Sequence, residues 1–110
     1  MMEKYVPLIT ANCVRKILLS EIVYIMKQNR KIQIATESTV YEYYEKMERV
    51  AELLDKRFFA CLRTCRINLD KIEKLENQTV FLAGGYRISL GRDNYVRTKQ
   101  YYKAYLKKLL

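Results

Sequence analysis

The chain has 110 residues, with 21 Lys+Arg against 12 Asp+Glu for a formal net charge of +9, half of its residues hydrophobic and no histidine. That is the length of one domain with a single core (residues 1–110), and it is too apolar for a disordered polyelectrolyte. The missing histidine excludes Ser-His-Asp and Cys-His catalysis and imidazole metal sites within the chain, and no apolar run approaches the ~20 residues of a membrane span.

The first 45 residues predict a β meander. Tyr5–Ile9 and Cys13–Leu19 are apolar-rich runs parted by the turn-like Thr10-Ala11-Asn12. Ile22–Met26 is an apolar run of strand length, followed by the polar Lys27-Gln28-Asn29-Arg30-Lys31. Ile32–Ala35 then alternates with period 2, as a half-buried strand does. Glu37-Ser38-Thr39 reads as a turn before the β-favouring Val40–Tyr44.

The period then changes. Met47, Val50, Ala51 and Leu54 recur at i, i+3, i+4, i+7, and Glu45–Arg49 and Glu52–Lys56 are favourably oriented i,i+4 pairs. This predicts a small helix over about 46–56. A compact segment, Ala60–Leu69, follows and carries Arg63 and Arg66. Strand-like runs come next at Lys71–Glu76, Thr79–Leu82 and Tyr86–Leu90, with Asn77-Gln78 and Ala83-Gly84-Gly85 as turns. The double glycine permits the positive φ angles of a tight hairpin. Gly91 breaks the last strand, and Asp93 is the expected N-cap of a closing helix over about 93–109. On that helix Tyr95, Tyr102, Leu106 and Leu109 share a face, and Lys99, Lys103 and Lys107 form a stripe. The predicted architecture is mainly β, with short antiparallel sheets, one small helix and a C-terminal helix.

The charge is unevenly spread. Residues 1–36 carry six basic and two acidic side chains, residues 37–56 three basic and six acidic, and residues 57–110 twelve basic and four acidic. The acidic segment is therefore not expected to face a polyanion, whereas the C-terminal half is. Cys13, Cys61 and Cys65 are odd in number and scattered, which predicts buried or half-buried thiols in a reducing cytosol. Met1–Pro7 lacks the hydrophobic stretch of a signal peptide, so a cytoplasmic protein is expected.

Catalytic patterns are sparse. Ala83-Gly84-Gly85-Tyr86 has neither GxxxxGK[ST] nor GxGxxG spacing, and the carboxylates cluster on one amphipathic helix. No cofactor or metal is expected. Binding residues, in contrast, fall where connections project: Asn29-Arg30-Lys31 at a strand–strand tip, Arg63-Thr64 after the acidic helix, and Arg87 and Arg92 flanking the last strand. Arginine suits bidentate contact with guanine and with phosphate. Two other readings fit a small basic chain: a histidine-free ribonuclease using Arg, Lys and Tyr, and a non-enzymatic module that meets an acidic protein.

Three motifs in order resemble the LytTR DNA-binding domain of bacterial transcription regulators over about residues 5–105. The first is Leu18-Leu19-Ser20-Glu21-Ile22-Val23-Tyr24-Ile25. The second runs from Phe59 to Ile72, where Phe59, Arg63, Ile67, Asn68 and Ile72 match, Thr64 replaces serine and Leu62 stands in place of histidine. The third is Tyr86-Arg87-Ile88-Ser89-Leu90-Gly91-Arg92. The resemblance implies an elongated antiparallel β-sandwich whose loops, not a helix, enter successive major grooves of promoter DNA. By position it implies that Arg92 and the Asn29/Arg30 loop read bases, and that Arg63 contacts the intervening minor groove with Thr64 on a phosphate. Lys27, Lys31, Arg87, Arg97 and Lys99 are the further candidate phosphate contacts. It also implies direct-repeat targets with two copies per site, and a receiver domain or a membrane regulatory partner outside this chain. The initial Met1-Met2 favours a free-standing regulator.

Overall fold

The computed structural model describes residues 3–108; Met1, Met2, Leu109 and Leu110 lie outside the described residues. Ten strands and two helices follow in chain order: β1 (Tyr5–Ile9), β2 (Val14–Leu18), β3 (Ile22–Gln28), β4 (Lys31–Thr36), β5 (Val40–Tyr44), α1 (Met47–Ala51), β6 (Phe58–Leu62), β7 (Cys65–Asn68), β8 (Ile72–Glu76), β9 (Thr79–Leu82), β10 (Tyr86–Ser89) and α2 (Arg92–Lys107). The strands form three antiparallel sheets: the hairpin β1–β2, a five-stranded sheet in the order β5-β4-β3-β7-β6, and a three-stranded sheet β10-β9-β8. The expected mainly-β architecture of short antiparallel sheets is therefore the observed one. The overall dimensions are 40 × 35 × 24 Å.

The five-stranded sheet is the central layer, and strand alternation gives it two apolar faces. Ile22, Ile25, Ile32, Ile34 and Tyr43 pack on one side against Val6, Leu8 and Ile17 of the first hairpin and Met47 and Val50 of α1. On the other side Val23, Cys61, Cys65 and Ile67 meet Val80, Leu82 and Ile88 of the three-stranded sheet, with tyrosines of α2 against the same cluster. Strict alternation would put Ile22 and Ile25 on opposite faces. A register shift between Ile22 and Tyr24 corrects this, sending Val23 and Tyr24 to one core and Ile22 and Ile25 to the other. A second shift, between Ala60 and Leu62, does the same for Cys61 and Leu62.

Helix α1 is shorter than the periodicity predicts, ending at Ala51 rather than near residue 56. The chain tightens instead through Leu53 N–H to Val50 O (3.0 Å) and Leu54 N–H to Ala51 O (3.2 Å). Asp55 then closes a local turn, its Oδ1 accepting from the Arg57 backbone N–H (3.1 Å) and from Arg57 Nε (3.0 Å). Such side-chain-to-backbone bonding competes with helix propagation. The Glu45–Arg49 pair forms at 3.9 Å. The compact segment expected at Ala60–Leu69 is the β6–β7 hairpin.

Helix α2 starts one residue earlier than expected. Gly91, with φ −65° and ψ 162°, is its N-cap, and its carbonyl accepts from the Tyr95 N–H (2.9 Å). Asp93 falls inside the first turn, where a carboxylate suits the helix dipole. The buried face is also rotated from the expected one. Tyr95, Thr98, Tyr102 and Tyr105 turn inward, whereas Leu106 is 41% exposed, and the expected place of Leu109 lies outside the described residues.

The glycine turn joins β9 to β10 as predicted, with Leu82 opposite Tyr86 and positive φ at both Gly84 (85°) and Gly85 (81°). The two glycines are not equivalent. A Cβ on Gly84 would lie 3.0 Å from Cα and O of Glu37, while one on Gly85 would meet open space. Gly85→Ala is expected to cost the left-handed backbone penalty of about 1–2 kcal/mol, and Gly84→Ala more than that, because backbone must also move. Urea titration of the two variants measures the difference; equal losses would show that the Glu37 contact is irrelevant.

Candidate nucleic-acid interface

Four connections meet at one end of the central layer, and the strand register dictates it. The β3–β4 turn is Asn29-Arg30, with Gln28 opposite Lys31. Asn29 adopts φ 58°, a region asparagine tolerates better than most residues. The β6–β7 turn is Arg63-Thr64, with Leu62 opposite Cys65. Because β3 pairs antiparallel with both β4 and β7, the end at which β3 turns into β4 is the end at which β7 begins. The Lys27 N–H donates to the Thr64 carbonyl (2.8 Å) and ties the two turns together. Arg66 stiffens the second turn from behind, its Nη1 donating to the carbonyls of Leu62 (3.3 Å) and Arg63 (3.1 Å).

Helix α2 brings Arg92 to the same end. Tyr101 stacks on Phe59 with centroids 4.4 Å apart, and Arg97 Nη2 donates to the carbonyls of Ala60 (2.9 Å) and Cys61 (3.3 Å). Lower numbers on α2 thus meet higher numbers on β6, so the helix runs antiparallel to β6. Arg92, its first residue, lies towards the Arg63-Thr64 turn. The fourth connection is the β8–β9 turn Asn77-Gln78, held to the start of α2 by Leu90 N–H to Gln78 O (2.9 Å) and Gln78 Nε2 to Leu90 O (3.1 Å).

Across this end the order is Arg30, Arg63, Arg92. With strands ~4.8 Å apart within the sheet and packed layers ~10 Å apart across it, the outer two backbones are separated by roughly 16 Å, and the arginine side chains extend that reach. Asn29, Arg30, Arg63, Thr64 and Arg92 are all exposed. The ion pairs among the described residues leave out Lys27, Arg30, Arg63 and Arg92. Cations on projecting turns with no carboxylate partner keep their full attraction for an incoming anion.

The remaining basic candidates differ in what they touch. Lys31 is anchored on the protein, paired with Glu42 at 3.2 Å and lying over the Tyr44 ring at 5.2 Å. Hydrogen bonds from Gln33 and Lys31 hold the Glu42 carboxyl below its usual range, so this pair stays ionised. Arg97 is engaged on β6 and lies over the Phe59 ring at 4.9 Å. Arg87 stands over Phe81 at 5.2 Å, next to Tyr86, whose hydroxyl donates to Thr36 O (2.7 Å) at the opposite end of β4. Lys99 is exposed on α2, about two turns beyond Arg92. The register therefore gathers Lys27, Asn29, Arg30, Arg63, Thr64 and Arg92, and leaves Arg87, Arg97 and Lys99 further back.

Sequence reasoning missed Arg66 and Gln78, which hold the turns rather than project from them. Their partners are backbone carbonyls, for which no residue pattern exists. The thiols are as expected in burial: Cys61 and Cys65 are buried, Cys13 half-buried, and none is in a disulfide. The neighbouring Cys61 thiol and burial push the Cys65 thiol upward and keep it protonated. Among the described residues no His, Cys, Asp or Glu group gathers in a metal-holding arrangement, and no helix is long and apolar enough to cross a membrane.

The fold is thus a three-layer β domain that presents exposed arginines outside the ion pairs, from separate connections, at one end. Compared with known families, residues 12–110 match the LytTr DNA-binding domain, and the chain belongs to that family. A solved structure described as the LytTr DNA-binding domain of a methyl-accepting/DNA response regulator from Bacillus cereus shares the fold. Its TM-score is 0.73 at 17% identity, covering 90% of this chain and 96% of that one. Comparison with curated proteins gives no match.

Proposed function

We propose that this LytTR domain is a sequence-specific regulator of transcription that reads double-stranded promoter DNA with the loop-bearing end. The observation that carries the proposal is the convergence of Arg30, Arg63 and Arg92, each exposed and outside the ion pairs, from three different connections. Arg92 and the Asn29-Arg30 turn read base edges in the major groove, where a guanidinium matches guanine O6/N7 and an amide matches adenine. Arg63 lies between them, where a duplex seen from one side presents its minor groove. Thr64 and Lys27 fix register on phosphates, with Lys31 and Lys99 adding charge from either side. Arg97 we read as holding α2 in place, and Arg87 as a more distant contact.

The domain measures 40 × 35 Å across its two longer axes, so one copy covers about one helical turn, ~34 Å, of B-DNA. Two copies on a direct repeat would lie side by side on one side of the duplex, in the cytoplasm where promoters are. The response-regulator origin of the Bacillus cereus neighbour fits control by a receiver domain or another regulatory partner.

Selection of bound duplexes from a random DNA library tests the function. The expected outcome is an enriched motif whose two information-rich blocks lie about one helical turn apart. Affinity for it should fall linearly with log salt, with a slope of about −0.9 per phosphate neutralised. Enrichment of no motif, with equal gel-shift affinity for all duplexes, would reduce the protein to a non-specific binder.

A further inference from the structure

The β8–β9 turn breaks a local rule. Asn77 and Gln78 both have positive φ, 51° and 56°. A two-residue hairpin of that kind favours asparagine followed by glycine, because the second position is strained for any residue with a Cβ. Asn77 obeys the preference and Gln78 does not. Gln78 instead spends its side chain on the segment leading into α2. Its Nε2 donates to Leu90 O (3.1 Å), and its own carbonyl accepts from Leu90 N–H (2.9 Å). Both backbone groups of Leu90 are thus fixed by one residue. Leu90 precedes Gly91, the N-cap of α2, which has no side chain to make a capping bond, and Gly91 precedes Arg92. The buried Leu90 side chain anchors the segment to the core below, which leaves its carbonyl as the upper restraint on the Gly91 pivot.

We propose that Gln78 is a positioning residue for Arg92: it accepts backbone strain in its turn in order to fix the angle at which Arg92 leaves the domain towards DNA. The inference rests on the reading of Arg92 as a base contact. It explains a conformation that glycine would adopt at lower cost, since strain held at a site by a specific bond marks a geometric requirement there. A guanidinium reads guanine through two parallel bonds, so its discrimination depends on approach angle more than its attraction for phosphate does.

Gln78→Gly separates the two roles. It relieves the turn and keeps the Leu90 N–H bond to the residue 78 carbonyl, removing only the bond from Nε2. The full chain and its Gln78→Gly, Gln78→Asn and Arg92→Ala variants are titrated against the duplex that the wild-type chain selects from a random library, and against every single-base-pair change in it. Asparagine tolerates the turn but is one methylene too short to reach Leu90 O. Both Gln78 variants are expected to lose about 3- to 10-fold of preference at the base pair where Arg92→Ala loses it. Affinity for random duplex should stay unchanged, and the melting temperature of Gln78→Gly unchanged or raised. Full retention of preference in both Gln78 variants, alongside its loss in Arg92→Ala, overturns the proposal and leaves the base-reading role intact. A loss spread evenly over all base pairs, or accompanied by a lowered melting temperature in both Gln78 variants, makes Gln78 a structural residue and also overturns it. If Arg92→Ala changes preference nowhere, the base-reading role of Arg92 itself falls, and the proposal with it.

Discussion

Asn68→Ala is expected to destabilise the domain by about 2–4 kcal/mol, because it strips partners from several buried backbone groups at once. Asn68 is 1% exposed at the end of β7. Its Nδ2 donates to Ile22 O (2.8 Å) and lies 3.5 Å from Leu19 O, while its Oδ1 accepts from Asp70 N–H (2.9 Å). One amide therefore joins the start of β3 to the turn between β7 and β8. Alanine leaves the Ile22 carbonyl without its partner in a buried setting and removes the acceptor of the part-buried Asp70 N–H. Asn68→Asp is a sharper probe: it keeps the shape and the acceptor towards Asp70, but at neutral pH it turns an oxygen on the Ile22 carbonyl. Urea unfolding should rank wild type above Ala and Ala above Asp at pH 7. If Asn68→Ala lost less than 1 kcal/mol, the amide would be a bystander and β3 would be held by packing alone.

Arg92→Ala is expected to remove about 1–3 kcal/mol of discrimination at one base pair, roughly a 5- to 150-fold drop in preference, with little effect on stability. The side chain is exposed and its charge lies outside the ion pairs, so truncation leaves no group orphaned in the free protein. Arg97 offers the internal contrast five residues on. Its guanidinium donates to Ala60 O and Cys61 O and stacks over Phe59, so Arg97→Ala should lower the melting temperature and weaken binding to all duplexes alike. Fluorescence anisotropy against single-base-pair variants, read beside thermal melts, separates the pair. A uniform loss for Arg92→Ala would make it a phosphate contact.

Much of the fold is legible residue by residue. Tyr5–Ile9, Val40–Tyr44 and Thr79–Leu82 are strands over the expected spans, because alternation and β-branched or aromatic content act locally. The glycine turn is legible for the same reason: few other residues adopt positive φ cheaply. The errors cluster where a distant or polar partner decides. Helix α1 gives way after Ala51 to tighter bonds from Leu53 and Leu54, and Asp55 then turns the chain through its bonds to Arg57, against a periodicity that runs on to Leu54. The β6–β7 hairpin turns on Arg63-Thr64, which carries no turn signature, and is held by Arg66 and by the edge of β3. On α2, burial of Thr98 and Tyr105 rather than Leu106 follows from which side meets β6 and the three-stranded sheet.

The sequence by itself determined the excess of cations, the absence of histidine, the strands other than β6 and β7, the glycine turn and the three loops that carry Asn29, Arg30, Arg63 and Arg92. These are properties of composition and of short-range backbone preference. Only the tertiary structure decided that those loops share one end, that Arg97 is committed to β6, and that Gln78 holds the residue from which α2 departs. Such facts depend on antiparallel register between strands far apart in the chain and on bonds to backbone carbonyls. Every residue possesses a carbonyl, so nothing in the order of side chains announces which one will be used.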